Sequence, residues 1–379
     1  GGLGGGSPGG GGGSAGGNAG GGAPGGGTGG GGVGGGSAGG GTGGGTSTGG
    51  GGVAAPSTTW TSVTSNLAGM ASECGNVSLV AAHPSSDLLI TDVAQHGLWA
   101  STNGGASWFA LGQTGAKISN RASSVVFDPG HPATFWESGI YNGGGAYRSD
   151  DTGATFTQLG AATHSDSISV DFTDPARQTL LAGGHEQTQK LYRSTNGGAA
   201  WSDIGGSLPG GSTFCTSTLV LGPSTFLVGC GGYASGTRGI LRTTNAGASW
   251  SWVSSGGVQG QPLRASDGTI YWPGEGNGGL YRSTDQGLTF TEVATASTAK
   301  SVTPVELPDG RIVVAGPSTL MASADKGSSW QALGKPLPYT PVAMTYSAQR
   351  HAFYIVHFTC DFSTPNAVPA DAVMRAGLP

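Results

Sequence analysis

Short apolar runs separated by turn residues follow one another through most of this chain. Residues 168–204 show the pattern, with runs at Ile168–Phe172, Thr179–Gly183 and Leu191–Arg193 before a short segment at Ser202–Ile204. Runs of this length, bounded by glycine and polar turn residues, are typical of β-strands. The pattern predicts four antiparallel strands in this stretch, and related stretches lie before and after it.

An octet of the form Ser/Thr-x-Asp/Asn-x-Gly-x-small-aromatic recurs six times. The copies are 40 to 49 residues apart, and they begin at Ser101, Ser149, Ser194, Thr243, Ser283 and Ser323. A repeat of this length with strand-like flanks indicates one supersecondary unit used many times, as in the blades of a β-propeller.

The composition of the octet predicts a tight turn. Its Ser or Thr hydroxyl and its Asp or Asn side chain can hydrogen-bond nearby backbone amides. Its Gly suits a positive φ that a side chain would disfavour. The closing aromatic residue, as at Trp108, can bury a large apolar surface between neighbouring sheets.

The octet resembles the Asp-box, or BNR, repeat of sialidases, xyloglucan hydrolases and Vps10-type propellers. In those families the box is a structural turn, usually remote from the active site. The resemblance therefore implies an all-β propeller for residues 57–379, and it leaves the function open.

Both ends of the chain contribute strand-like segments without a box. Val342–Tyr346, Ala352–Phe358 and a third candidate near Val368–Met374 follow the last box, whereas Trp60–Val63 matches the segment that follows a box elsewhere. A blade in which Trp60–Val63 pairs with strands from 342–358 would close the ring without an exposed sheet edge. We therefore expect a single seven-bladed β-propeller, with six or eight blades as alternatives.

Residues 1–56 differ in composition from the rest of the chain. They are mostly glycine and contain no charged or aromatic residue, so they cannot bury enough apolar area to offset their chain entropy. We expect a flexible tether here, with an ordered polyglycine assembly as the alternative. Such a tether resembles the stalk of a bacterial secreted protein or surface lipoprotein, which implies an extracellular or cell-surface protein, lipid-anchored through a processed N-terminus.

Charge and hydropathy exclude several classes of partner. The net charge is −5 with 16 Lys and Arg residues, which argues against nucleic acid. No apolar run approaches the roughly 20 residues that cross a membrane. No Cys-x-x-Cys pair or Cys/His cluster indicates zinc. We expect no metal, no cofactor and a monomeric protein.

The four cysteines fit an exported protein. Cys215 and Cys230 fall on the first two predicted strands of the fourth blade, and Cys74 and Cys360 lie near the ends that close the ring. We predict Cys215–Cys230 and Cys74–Cys360 disulfides, as expected in an oxidising compartment. Four buried free thiols are the alternative.

Propellers that this chain resembles bind ligands on the face opposite the boxes, called the loop face below. It carries the loops between second and third strands and the loops between blades. Carboxylates, histidines and aromatic rings gather there, as a carbohydrate site requires. The acid–base candidates are Asp92, Glu137, Asp166, Glu186 and Glu275, and the ligand-binding candidates are His96, Arg121, Tyr141, His164, Asp166, His185, Tyr233, Arg264 and Trp272. The alternative is that these loops are simply polar and solvated.

Asp92 lies in a segment with a more specific resemblance. Thr91–Val93 resembles the start of the Thr-Asp-Val-Gly-Gly stretch of xyloglucan-cleaving hydrolases, whose Asp is a catalytic carboxylate. Residues 94–96 (Ala-Gln-His) replace the paired glycines here. Those enzymes take their second carboxylate from a second propeller, for which this chain has no room. The Phe/Tyr-Arg-Ile-Pro motif of sialidases is absent from the sequence.

Four arginines precede boxes and share their period. Because they recur with the boxes, we interpret them as structural rather than as a sialidase arginine cluster; they are Arg148, Arg193, Arg242 and Arg282.

Two functions from different classes remain. The first is a propeller that binds a polysaccharide, a glycoconjugate or a surface protein on its loop face. The second is a glycoside hydrolase, of the xyloglucanase or sialidase kind, that uses rim carboxylates. The absence of complete family motifs favours binding.

Overall fold

The structure, a computed structural model, describes residues 58–73, 76–232, 235–276, 278–359 and 366–378. Within these residues, seven antiparallel sheets follow one another around a central channel. They are the blades of an all-β, seven-bladed propeller, so the predicted fold class and blade number are confirmed. The predicted tether, residues 1–56, lies outside the described residues.

The first strand of each blade lies nearest the channel and the fourth lies at the outer edge. Blade 1 comprises Val80–Ala82, Leu89–Val93, Gly97–Ser101 and Phe109–Ala110. Blade 2 comprises Arg121–Phe127, Phe135–Ile140, Ala146–Ser149 and Thr155–Gln158, with Thr114–Gly115 added in parallel at its outer edge. Blade 3 comprises Ser165–Val170, Leu180–Gly184, Leu191–Ser194 and Ser202–Asp203. Blade 4 comprises Phe214–Val220, Phe226–Gly231, Gly239–Thr243 and Ser251–Ser254.

The inner strands of blades 5 and 6 have only two residues each. Blade 5 comprises Leu263–Arg264, Ile270–Pro273, Leu280–Ser283 and Thr291–Ala294. Blade 6 comprises Val305–Glu306, Ile312–Ala315, Leu320–Ser323 and Gln331–Leu333. Blade 7 comprises Ala343–Ser347, Ala352–Val356, Val373–Gly377 and Thr61–Ser62. Outside the blades, Ala71–Ser72 pairs with Asn366–Ala367, and Ser65–Leu67 and Gly205–Ser207 form single 3-10 turns.

Both chain ends build blade 7, as the sequence predicts. Thr61 pairs with Arg375 and Ser62 pairs with Met374 in an antiparallel register. The predicted partner of the N-terminal strand was the segment 342–358, whereas the observed partner is Val373–Gly377. Val373–Gly377 lies between the N-terminal strand and Ala352–Val356, and it pairs with both.

The boxes form the tight turns that their composition predicts. In the fifth box, the Ser283 hydroxyl donates to Asp285 Oδ1 at 2.7 Å and accepts the Gly287 N–H at 2.8 Å. Asp285 Oδ1 also accepts the Thr289 N–H at 3.0 Å. The first two bonds recur in all six boxes. The box glycine has a positive φ in every copy, +77° at Gly287, which is why that position takes Gly.

The closing tryptophan of a box joins its blade to the preceding one. Nε1 of Trp108 donates to the Val63 carbonyl at 2.9 Å, and Nε1 of Trp330 donates to the Val293 carbonyl at 2.9 Å. Trp201 makes the equivalent bond to the Leu159 carbonyl at 3.0 Å. Each acceptor lies in or just after the outermost strand of the preceding blade. The aromatic residue therefore fixes the spacing between blades as well as filling it.

The arginines before the boxes make structural contacts. Arg242 Nε donates to the Gln286 carbonyl at 3.3 Å, and Arg282 Nη1 donates to the Lys326 carbonyl at 2.8 Å, in each case within the box of the next blade. Arg148 pairs with Asp150 at 2.7 Å, and Arg193 lies over the ring of Phe226 in blade 4, 5.7 Å from its centroid. These contacts fit the structural role predicted for the four residues.

A buried ion pair also links blades 2 and 3. Asp128, whose side chain is 1% exposed, accepts two bonds of 2.9 Å from the Nε and Nη2 of Arg177. The Gly130 N–H donates to the same carboxylate at 2.7 Å. Burial alone would raise the pKa of Asp128, but the bonds from Arg177 and Gly130 outweigh it and hold the pKa well below its ordinary value.

One predicted disulfide is confirmed. Cys215 and Cys230 are bonded across the first two strands of blade 4, with a Cα–Cα distance of 3.9 Å. Cys74 and Cys360 lie outside the described residues, so their pairing stays a prediction. In the described part of the chain, no helix has the length and apolar character of a membrane span.

Candidate functional site

Six polar or aromatic side chains from blades 2 and 3 meet on the loop face. We call them the mouth cluster: Arg121, Tyr141, His164, Asp166, His185 and Glu186. Arg121 opens the first strand of blade 2, and Tyr141 directly follows the second. His164 directly precedes the first strand of blade 3, and His185 directly follows its second strand. All six were candidates on the sequence, and the ends of adjacent strands bring them together.

The rings of the cluster pack edge to face. The centroid of Tyr141 lies 5.2 Å from that of His164 and 5.2 Å from that of His185, and the two imidazoles are 4.8 Å apart. The guanidinium of Arg121 lies over the Tyr141 ring, 4.9 Å from its centroid. Tyr141 is nevertheless 46% exposed, so part of its ring is open to a ligand.

His185 lies between two carboxylates. Its Nδ1 is 2.9 Å from Asp166 Oδ1, and its Nε2 is 3.2 Å from Glu186 Oε1 and 3.3 Å from the Tyr141 hydroxyl. Each carboxylate thus faces one ring nitrogen of His185, and a ring N–H donates a hydrogen bond to a carboxylate oxygen. The pair of carboxylates therefore holds the ring in place.

His164 contacts a backbone N–H group rather than a carboxylate. Its Nδ1 accepts the backbone N–H of Tyr141 at 3.0 Å, which requires a neutral ring. Burial, followed by the neighbouring His185, lowers the pKa of His164 below its ordinary value of 6.5. The cluster thus combines one imidazole that faces carboxylates with one that acts as a hydrogen-bond acceptor.

The backbone of the cluster is strained. Tyr141, His164 and Glu186 have φ values of +67°, +57° and +53°. Residues other than Gly seldom adopt this left-handed conformation, and such strain collects at functional sites. Three strained residues in a cluster of six single out this part of the loop face.

A cavity of about 300 Å³ opens beside the cluster. Asp166, His185 and Glu186 supply the charged part of its lining. It shares Ser123 and Gly260 with a second cavity, of about 310 Å³, in the central channel, where the lining consists of uncharged residues. A ligand held at the mouth cluster can therefore extend toward the channel.

Glu275 lies on the same face, but its carboxylate already has partners within the protein. Its carboxylate accepts the Gly232 N–H at 2.5 Å and pairs with the guanidinium of Arg238. The Glu275 side chain is 15% exposed. Its bonds lock the carboxylate to the protein, so it is placed to shape the rim rather than to transfer protons.

Three predicted rim residues are buried, and the expectation that they lie on open loops is wrong. Asp92, Glu137 and Trp272 are each 0% exposed. They fall inside the second strands of blades 1, 2 and 5, which neighbouring blades cover on both sides. Trp272 Nε1 donates to Ser217 Oγ at 2.9 Å in the interior, so its ring cannot stack on a ligand there.

Asp92 occupies a closed, hydrogen-bonded pocket. Its carboxylate accepts the N–H groups of Ser78 and Leu79, both at 2.9 Å, and the Ser78 hydroxyl at 3.0 Å. Burial raises the pKa of Asp92 to about 7 against these bonds. Burial also raises the pKa of Glu137, and the nearby Asp92 contributes to that increase.

The remaining candidates lie apart from the cluster. His96 lies between the second and third strands of blade 1, and its Nε2 is 2.7 Å from the Ala71 carbonyl. Arg264 ends the first strand of blade 5 and so lies toward the box face, which corrects its predicted place in a loop between blades. Tyr233 lies outside the described residues.

Several residues that line the cavity were not among the candidates predicted from the sequence. Ser123, Ser167, Thr216 and Ser217 come from the first strands of blades 2, 3 and 4, which face the channel. Small hydroxyl residues within otherwise apolar inner strands were the available signal. In the described residues no group of three or more His, Cys, Asp or Glu side chains is arranged to hold a metal ion.

Comparisons with known proteins agree with the fold. No family model matches the chain. A xyloglucanase from a Paenibacillus species is 30% identical over 113 residues, which are 28% of this chain and 11% of that protein. The match therefore covers a small part of a much longer relative.

Solved structures resemble the whole propeller. The GH74 xyloglucanase from Xanthomonas campestris has 18% identity and a TM-score of 0.53, over 83% of this chain and 55% of that one. The extracellular domain of a one-component system from B. thetaiotaomicron has 11% identity and a TM-score of 0.56, over 82% of this chain and 39% of that one. At these identities the similarity establishes a shared fold.

Proposed function

We propose that this chain is an exported Asp-box propeller that binds a neutral polysaccharide at the mouth cluster without cleaving it. The observation that carries the proposal is a half-exposed Tyr141 beside an open cavity whose two carboxylates already have hydrogen-bond partners. The repeated octets and their turn geometry support its assignment to the Asp-box propellers.

The chemistry of the cluster suits a sugar. Aromatic rings contact the apolar faces of pyranose rings, and a small number of fixed polar groups orient the hydroxyls. Tyr141 supplies the ring, while Asp166, Glu186 and the Ser and Thr hydroxyls of the cavity supply acceptors and donors. Asp166 and Glu186 make the lining acidic, which disfavours an anionic polysaccharide. Xyloglucan, the substrate class named for the similar proteins, is a neutral polymer and is the first ligand to test.

The arrangement of carboxylates argues against hydrolysis. Glycoside hydrolysis needs one carboxyl group as an acid and a second as a base or nucleophile, both facing the scissile bond. Asp166 and Glu186 share His185, and Glu275 pairs with Arg238. Asp92 is enclosed by its own hydrogen bonds. Each of these candidates among the described residues is therefore committed to a partner within the protein.

Export is supported by the disulfide. Cys215–Cys230 joins two strands of the fourth blade, and such bonds persist in oxidising compartments and are rare in reducing ones. Attachment to the cell surface through the glycine-rich segment stays part of the proposal.

Hydrolysis is the second candidate, and one observation favours it. The pKa of Asp92, raised to about 7 by burial, suits a general acid at neutral pH. This function would require blades 1 and 2 to expose Asp92 to the substrate and a second carboxylate to approach it.

Titration calorimetry with xyloglucan oligosaccharides, run alongside an assay for released reducing ends, tests the proposal. The wild-type protein should bind without releasing reducing ends. Tyr141→Ala should weaken binding about ten-fold, as expected for the loss of an aromatic contact. Phe109→Ala is the matched control, because Phe109 is also about half exposed but lies after the first box.

Three outcomes would contradict the proposal. Equal effects of Tyr141→Ala and Phe109→Ala would remove the mouth cluster from the binding site. Reducing-end release that Asp92→Asn abolishes would establish the hydrolase instead. Binding to neither xyloglucan nor other neutral glycans, together with binding to a surface protein, would establish the protein-binding alternative.

A further inference from the structure

The backbone of Tyr141 is held by a histidine from the next blade. Its N–H donates to Nδ1 of His164 at 3.0 Å, across 23 positions of sequence. A ring nitrogen accepts a hydrogen bond only while it carries no proton, so the neutral ring must carry its proton on Nε2. The bond therefore exists in one protonation state of His164 and is lost in the other.

Four ionisable side chains face His164 from blades 2 and 3. Asp166 and Glu186 favour its protonated form, whereas His185 and Arg121 disfavour it. Burial is the largest influence, and with His185 it lowers the pKa of His164 below 6.5. The ring is thus neutral at neutral pH and takes up its proton only as the pH falls below 6.5.

Tyr141 needs this anchor because its backbone is strained. A φ of +67° is uncommon for a bulky residue, and it persists only where the surroundings determine it. Protonated Nδ1 presents an N–H to the Tyr141 N–H, so two donors face each other. Loss of the bond releases the strained backbone, and the ring of Tyr141 moves from its place between the two histidines.

We infer that His164 is a positioning residue that weakens ligand binding at the mouth cluster as the pH falls, by releasing Tyr141 when its ring is protonated. The inference rests on the proposed function, in which Tyr141 contacts the glycan. Affinity is full where His164 is neutral and falls as the pH drops below 6.5. Loss of one anchoring hydrogen bond predicts about ten-fold weaker binding when the His164 ring is fully protonated than at about pH 7.5.

The first experiment uses no ligand. An NMR titration of the ¹⁵N-labelled protein follows the Tyr141 amide between about pH 7.5 and the pH at which the His164 ring is fully protonated. The amide should shift with the same midpoint as the His164 ring, below 6.5. His164→Asn should abolish that titration, because Asn has an acceptor oxygen, tolerates a left-handed backbone and does not ionise.

The second experiment measures affinity for xyloglucan oligosaccharides at the same two pH values. The wild-type protein should lose about ten-fold in affinity, whereas His164→Asn should bind equally at both. His351→Asn is the matched control, since His351 also has a left-handed φ, +47°, but lies in a turn on the box face. This control should keep the pH dependence of the wild type.

The two experiments separate the inference from the proposed function. A Tyr141 amide that does not titrate, or one that titrates unchanged in His164→Asn, overturns the inference. A pH dependence of affinity that survives in His164→Asn also overturns it, because its source would then be a group other than His164. A Tyr141 amide that titrates with His164, in a protein that fails to bind xyloglucan, would support the coupling between the two residues and reject xyloglucan as the ligand.

Discussion

Breaking the buried ion pair between blades 2 and 3 should cost far more stability than breaking a surface pair. Arg177→Met keeps the aliphatic stem but leaves the Asp128 carboxylate, 1% exposed, without its cation. An uncompensated buried charge destabilises by about 3–5 kcal/mol. Arg177 also donates to the Phe172 and Asp174 carbonyls, at 3.2 and 2.6 Å. The free energy of unfolding should therefore fall by about 3 kcal/mol or more.

The matched control is Arg311→Met. Arg311 pairs with Asp309 at 2.8 Å, but the two side chains are 32% and 53% exposed. Exposed pairs contribute about 0–1 kcal/mol, because water screens the charges. Urea unfolding measures both variants, and a shift in midpoint at an unchanged m-value reports the change in stability.

A second substitution separates charge from packing. Asp128→Asn in the Arg177→Met background removes the unpaired charge and still accepts the Gly130 N–H. The double variant should therefore recover part of the lost stability. Equal costs for Arg177→Met and Arg311→Met, or no recovery in the double variant, would refute the reasoning.

The pH dependence of stability independently tests whether the ion pair stabilises the folded protein. The folded-state pKa of Asp128 lies below its ordinary value of 3.8, so its stabilisation is complete above that value and declines as the pH falls below it. In Arg177→Met the buried carboxylate has lost the arginine that lowers its pKa, so it takes up a proton at a higher pH than in the wild type. The difference in stability between the two proteins should therefore be largest near neutral pH and shrink as the pH falls through the higher pKa of the variant.

Two further predictions concern stability. Trp330→Phe removes the hydrogen bond to the Val293 carbonyl but keeps an aromatic ring, as boxes two and five already do with Phe, so it should lower the free energy of unfolding by about 1 kcal/mol. Urea unfolding measures this cost, and a cost equal to that of Trp330→Ala, about 3–5 kcal/mol, would contradict the prediction. Replacing Cys215 and Cys230 together by Ala should lower stability by up to about 3 kcal/mol, since the bond closes a 15-residue separation, and an unchanged thermal midpoint would contradict a stabilising bond.

The fold was predictable because its main signals are local. Each box closes hydrogen bonds within five or so residues, as from Ser283 to Asp285 and Gly287, so the octet fixes its own turn. The ring closure followed from Trp60–Val63, a segment that resembles an outer strand but has no box before it. The order of the strands in blade 7 was harder to predict, because the partner strand Val373–Gly377 is separated from Ala352–Val356 by a long stretch of sequence.

Part of the candidate site could be placed on the loop face from the sequence, but its geometry could not be predicted. Tyr141, His164 and His185 could be assigned to the loop face from strand order, yet their contacts depend on how neighbouring blades twist. Asp92 and Trp272 were misplaced because a shift of one or two residues at a strand end decides between loop and interior. Sequence patterns locate strand ends no more finely than that.

Hydrogen-exchange footprinting with xyloglucan oligosaccharides tests the central claim most directly, because it locates the ligand on the folded protein without any substitution. The account predicts protection of residues 139–144, 163–167 and 184–187, the segments that carry Tyr141, His164 and His185, with the box turns unchanged. Protection confined to the box turns, or exchange that is the same with and without ligand at saturating concentration, would contradict it.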